Sequence, residues 1–210
     1  VPDEVPYELL ILWDEARNAI RDNNKDKAVE IYKYILLMYA EDPSACEYAH
    51  AYLSDLLLIM RKLPEAKEHI KKAIACNSRK PEYHYILGFI YLTESRWKPA
   101  VKQFKAALKE APENAEYLRG LGWSTFNTGE RQEGLLILNK ALRIDPDNIN
   151  ILIDLAFCYM GMADFNKARK YIRMAKKLDP ENALVRGSAW LIDYASHQAH
   201  METPEEESTD

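Results

Sequence analysis

Glycine is scarce in this chain, with seven among 210 residues, and that argues against a β-sandwich, whose turn signals recur every ~8–12 residues. Cysteine is scarcer still. Cys46, Cys76 and Cys158 stand far apart, odd in number and without a Cys-x-x-Cys pair. Neither a disulfide framework nor a zinc knuckle is expected, and small buried thiols in a reducing, cytoplasmic setting remain as the reading. No apolar run approaches the roughly 20 residues that span a bilayer. A basic surplus is also missing. The formal net charge is −5, and Glu202 to Asp210 alone carries five acids and no base, which leaves the rest of the chain neutral. A neutral body releases no counterions from a nucleic acid, so nucleic acid is not an expected partner. The start, Val1-Pro2-Asp3-Glu4, is not a signal peptide, and without a methionine it reads as a trimmed N-terminus.

Catalytic signatures are missing too. The sequence has no Gly-x-Ser-x-Gly, Walker or His-Glu-x-x-His pattern. Gly120-x-Gly122 falls on a helical stretch rather than on the strand-to-helix turn of a phosphate loop. Glu205 and Glu206 have no pocket to shift their pKa. His197 and His200 have the helical spacing that pinches a metal, but no cysteine or firmly placed carboxylate completes a set, so a solvated pair is expected. The chain is therefore expected to be no enzyme and to hold no metal or cofactor.

What is present is a period. Pro112-Glu113-Asn114, Pro146-Asp147-Asn148 and Pro180-Glu181-Asn182 recur every 34 residues. The same interval links Ala66, Ala100, Gly134 and Ala168, and again Ala73, Ala107, Ala141 and Ala175. Leu53, Leu87, Leu121 and Leu155 keep step, each followed by a small residue (Ser54, Gly88, Gly122, Ala156), and Ile70, Phe104, Leu138 and Ile172 form a further series. A recurrence of this length marks stacked supersecondary units. Within each unit the apolar spacing predicts two amphipathic helices of about 14 residues. The small residue on the first helix meets another small residue on the second, which lets the backbones approach. Pro64 and Pro99 fall where second helices begin, and the prolines after the second helices end them.

Leu87, Gly88, Tyr91, Ala100, Phe104, Ala107 and Pro112 together resemble the tetratricopeptide repeat (TPR) signature almost in full, and the resemblance covers about residues 9–182. It implies an all-α, right-handed α-solenoid of about five helix-turn-helix hairpins. The expected repeats are 9–46, 47–80, 81–114, 115–148 and 149–182. A capping helix follows over 183–199, and then an acidic, disordered tail over 200–210. The first copy is the least regular: it is stretched by an insertion before Glu47 and carries Glu15 and Ile35 in slots held elsewhere by leucine and alanine. His50 and His84 are repeat-equivalent and read as packing residues.

In the resembled family the first helices line a concave face. Carried over here, the lining is Leu10, Trp13, Arg17 and Ile20; Tyr48, Ala51, Asp55 and Leu58; Glu82, Tyr85, Phe89 and Leu92; Glu116, Arg119, Trp123 and Phe126; and Asn150, Ile153, Phe157 and Met160. This lining is unusually aromatic, and contiguous apolar patches mark interaction sites. Tyr48, Tyr85, Phe89, Arg119, Trp123, Phe126, Ile153 and Phe157 are the expected groove for an apolar or amphipathic protein segment, with Arg119 and Arg17 fixing an acidic group on it. Two alternatives stay open: superhelical curvature buries the rings between repeats, or the chain's own termini fill the groove. The family's clamp for acidic chaperone C-termini is not expected. Its five cradle places fall on Ala51, Asp55, Ile86, Glu116 and Gly120, on Tyr85, Phe89, Gly120, Asn150 and Asp154, or on Trp13, Arg17, Tyr52, Glu82 and Ile86, and no set provides a basic cradle.

Trp190 occupies the small-residue slot on the last helix, either as part of a cap or as a self-association contact. The function that follows is a protein-interaction scaffold. Its alternatives are a self-associating structural module or section of a longer repeat array, and a chaperone for an apolar client.

Overall fold

The computed structural model describes residues 6–202. They form eleven α-helices and, among the described residues, no strand. Five hairpins run in order: α1 (Tyr7–Arg21) with α2 (Lys25–Met38), α3 (Pro43–Ile59) with α4 (Leu63–Cys76), α5 (Pro81–Thr93) with α6 (Trp97–Glu110), α7 (Ala115–Asn127) with α8 (Arg131–Ile144), and α9 (Ile149–Met160) with α10 (Phe165–Leu178). The last helix, α11 (Ala183–Glu202), stands where a sixth hairpin would begin. The expected tail lies outside the described residues from 203 onward, as does the side chain of His200.

The sequence predicts one run of hairpins, and the structure divides into two compact units at Ala111 and Pro112. In unit one, α1 to α6 pack each against the next, and α3 also touches α5. In unit two, α7 to α11 do likewise, with α9 touching both α7 and α11. Each unit is thus a stretch of α-solenoid, with first helix α5 touching α3 in unit one and α9 touching α7 in unit two.

The periodic series are the core. Ala66, Ile70, Ala73, Ala100, Phe104, Ala107, Leu138, Ala141, Ala168 and Ala175 are all fully buried. Burying each larger side chain stabilises by roughly 1.5–3 kcal/mol. The small-residue slot behaves as expected: a Cβ on Gly122 would stand 2.8 Å from Leu138 Cγ and 3.0 Å from the Gly134 carbonyl oxygen on the facing helix. In the second hairpin the same slot holds Ser54, whose hydroxyl donates to the Ala66 carbonyl at 2.8 Å. In the first copy Glu15 is exposed, and the neighbouring Ala16 with Ala28, Tyr32 and Ile35 forms the core.

Helix starts are set by polar caps. Asn114 accepts from the Tyr117 N–H, Asn148 from Asn150 and Ile151, and Asn182 from Leu184 and Val185. Each satisfies donors that the first turn leaves unpaired. The asparagine of the recurrent Pro-acid-Asn motif therefore starts the next first helix, a role beyond the stop that its proline provides. The insertion before Glu47 is no loop: Pro43 to Cys46 adds a turn to the N-terminus of α3, capped by Asp42, which accepts from Ser44 and Ala45 at 2.9 Å.

Candidate protein-binding surface

In unit one, first helices α3 and α5 enclose an open recess of about 450 Å³. Tyr85, Ile86 and Phe89 of α5 form one wall and Leu58 and Ile59 of α3 the other, with Asp55 and Arg61 at the polar edge. The positions follow from helix geometry, since residues four apart share a face. Tyr85 and Phe89 stand ring to ring at 6.3 Å, and Tyr85 lies 6.0 Å from the fully buried Phe104. One flank of Tyr85 is thus anchored on the core.

Tyr48, the third expected groove residue of this unit, is exposed and lines a neighbouring depression with Trp13, Arg17, Tyr32 and Tyr52. Tyr52, Tyr32, Ile59 and Ile86 were not among the expected groove residues. The first of them was legible: Tyr48, Tyr52, Asp55 and Ile59 follow the i, i+4, i+7, i+11 stripe of one helix face, and all four are exposed.

Unit two places its expected residues differently. Ile153 and Phe126 are buried and belong to packing, while Trp123 and Phe157 are half-buried. Arg119 is taken up within the protein: Nε donates to Glu116 Oε2 and Nη1 to Asp154 Oδ2, both at 2.9 Å. Asn148 holds the other Glu116 oxygen at 3.0 Å. Burial pushes the Asp154 carboxyl up, to about 6, against the pull of Arg119. The guanidinium is itself desolvated, yet Asp154 and Glu116 hold it charged. With both faces of its fork engaged it has little left to offer a partner's acid. Arg17, the other expected anchor, is exposed and pairs with Asp14 on its own helix.

Trp190 is 66% exposed and stacks on Tyr194, with centroids 5.3 Å apart and planes at 12°. Ile192 and Val185 on the opposite side of α11 are buried against the last hairpin. The helix therefore caps the unit with one face and leaves its two large rings in solvent.

Among the described residues, no group of three or more His, Cys, Asp or Glu comes together as a metal set, and no helix is long and apolar enough to cross a membrane. The three cysteines are free. Cys158 is deeply buried, and desolvation raises its thiol pKa far above the usual range. His50 and His84 pack between the two helices of their hairpins: Nδ1 of His50 meets Nδ1 of His69 at 2.9 Å, and Nδ1 of His84 meets Gln103 Oε1 at 2.9 Å.

Two tetratricopeptide repeat family models match the chain, over residues 90–149 and 126–189. Protein CTR9 homolog of Arabidopsis thaliana is 27% identical over 164 residues, which is 75% of this chain and 14% of that protein. The chain thus spans about a seventh of this relative's length. Among solved structures, a tetratricopeptide repeat protein from Parabacteroides merdae superposes with TM-score 0.77 at 12% identity, covering 94% of this chain and 77% of that one. A thermophilic TPR protein of Thermus thermophilus superposes with TM-score 0.71 at 19% identity, covering 89% and 99%. At these identities the likeness is one of fold. Proteins of this kind are generally scaffolds for protein–protein interaction rather than enzymes. With five such hairpins, their signature positions buried, and matching family models over the later repeats, the chain is a tetratricopeptide repeat protein.

Proposed function

We propose that this scaffold captures an apolar or amphipathic segment of a partner protein on the faces of its first helices, with the α3–α5 recess as the principal seat. The observation that carries the reading is the recess itself: Tyr85, Ile86, Phe89, Leu58 and Ile59 leave apolar surface open to water, and Asp55 and Arg61 supply one charge of each sign at its edge. Covering such a patch is favourable, and the mixed rim suits a segment with one apolar and one polar face. In unit two, Trp123 and Phe157 offer half-buried rings for further contact. The free, separated thiols suit a reducing compartment such as the cytoplasm.

The test is a display selection of amphipathic peptides on the wild-type chain, followed by affinity measurements on Phe89→Ala. Phe89 is only half-buried, so the variant should keep the wild-type circular-dichroism melt and weaken capture by about tenfold or more. Unchanged affinity, or collapse of the fold, would remove the recess from the binding surface.

A second reading rests on a different observation, the solvent-facing Trp190–Tyr194 stack. Exposed aromatic pairs of this kind suit an interface between two copies of the chain.

A further inference from the structure

Beside the α3–α5 recess, unit one carries a separate depression of about 290 Å³, walled by Trp13 and Arg17 of α1, Tyr32 of α2, and Tyr48 and Tyr52 of α3. Tyr32 and Tyr52 are stacked at 5.7 Å with planes at 10°, and Trp13 is tilted against them at 5.6 and 6.0 Å. The depression is a set of flat ring faces rather than a slot for a branched aliphatic chain.

Tyr32 offers the guest a donor. As a whole residue it is 1% exposed, yet it forms part of the wall of the depression. A tyrosine hydroxyl in such a wall can donate to an acceptor that a guest brings. Desolvation raises its pKa to about 12, so the group stays O–H and can donate. Arg17 adds a guanidinium to the same wall, and its pair with Asp14 lies within one turn of an exposed helix face, where such pairs contribute little and exchange readily. Lys80 holds its ammonium 5.9 Å from the centre of the Tyr48 ring and has no carboxylate partner among the described residues.

The lining side chains are rich in donors (Tyr hydroxyls, the Trp13 indole N–H, Arg17) and include no carboxylate or amide oxygen. Two guests fit poorly. A cation would meet Arg17 and Lys80, and a helical segment keeps its carbonyls bonded to its own N–H groups, leaving the donors unused. A segment in polyproline II conformation has no internal hydrogen bonds, so its carbonyls are free to accept. Its prolines have no N–H that needs a partner, and their compact apolar rings suit aromatic-lined grooves. We propose that this depression is a second docking site, which takes a proline-rich segment of a partner protein with its rings on Trp13, Tyr48 and Tyr52, a backbone carbonyl on the Tyr32 hydroxyl, and a neighbouring acidic residue between Arg17 and Lys80.

This site goes beyond the α3–α5 reading and does not depend on it. The experiment is fluorescence anisotropy on the full chain with three labelled peptides: oligoproline flanked by glutamates, the same flanked by lysines, and a glutamate-flanked version with alanine in place of proline. The glutamate-flanked proline peptide should bind saturably and more tightly than the other two, with the advantage over the lysine-flanked peptide shrinking as salt rises. Tyr52→Ala should weaken it about tenfold. Tyr32→Phe, which keeps the ring, should weaken it several-fold without moving the melt. Phe89→Ala should leave it unchanged, which separates this site from the α3–α5 recess. The proposal is overturned by any of four results: no saturable proline binding, equal affinity for the alanine peptide, preference for the lysine flanks, or unchanged binding in Tyr52→Ala.

Discussion

Gly122 and Gly187 sit in helices of the same unit and should respond oppositely to one added methyl group. A Cβ on Gly122 would come 2.8 Å from Leu138 Cγ and 2.9 Å from the Leu138 backbone nitrogen, so α7 and α8 would have to part. Gly122→Ala should cost about 1–3 kcal/mol, as overpacked cores do. On Gly187 the same atom meets nothing within 4 Å. Gly187→Ala should raise stability by about 0.5–1 kcal/mol, by removing a flexible residue from a helix interior. Thermal denaturation of the two variants checks both signs. The His50–His69 contact gives a prediction in pH. Burial, then His69 and Lys72, lower the His50 pKa from 6.5 to about 4, and His69 is lowered as well. The folded chain keeps these rings neutral while the unfolded chain protonates them. The stabilisation is therefore complete above pH 6.5 and is lost as pH falls toward about 4. Discounted for the water that reaches the pair, the loss is about 1 kcal/mol. His50→Gln, which removes the ring whose pKa is lowered to about 4, should flatten that part of a stability-versus-pH curve.

The hairpin turn is the element in which sequence and structure are furthest apart. Each turn places one residue in the left-handed region: Asn23, Arg61, Ser95, Gly129 and Ala163, with φ from 55° to 102°. The last four are 34 apart, yet only one of them is glycine. No residue type repeats there, so the series could not be read before the backbone was known. In four of the turns the next N–H closes back onto the first helix: Asn24 to Ala19, Lys62 to Leu57, Arg96 to Tyr91 and Asp164 to Tyr159, at 2.8–2.9 Å. This is the Schellman pattern, and it explains why Arg61 and Ala163 are held at φ near 60° despite their Cβ atoms. Ala163→Gly should relieve that strain and stabilise by about 0.5–1 kcal/mol, whereas Gly129→Ala, at φ 102°, should destabilise by about 1 kcal/mol or more. Melting temperatures of the pair test this. Helix identity and core register, by contrast, were legible because alanine, leucine and aromatic slots recur in phase and each slot has one packing job. The first boundary of α3 was not, since Pro43 to Cys46 breaks the interval and looks like an insertion until Asp42 is seen capping it.

For the molecule as a whole, the fold class followed from the period, but the docking face did so only in part. The repeat register assigns a residue to the side of a first helix; it does not say what its neighbours do. Tyr85 and Phe89 stay open because α3 opposite them presents Leu58 and Ile59 around a hollow. Arg119 is consumed because Asp154, on the next first helix, stands within 2.9 Å of it. Whether two such units work singly or as pairs of chains turns on α11. If the Trp190–Tyr194 stack is an interface, light scattering should show a concentration-dependent dimer that Trp190→Ala weakens by about tenfold or more without changing the melt. A monomer at every concentration would set that reading aside.

The same tryptophan bears on how such an array can grow. Its slot is the one through which Gly122 and Ser54 admit a second helix at backbone contact. A further helix appended behind α11 in the usual manner would be held off by the indole. Lengthening the protein by grafting repeats would therefore require a glycine or alanine at that site first, or insertion upstream of α11.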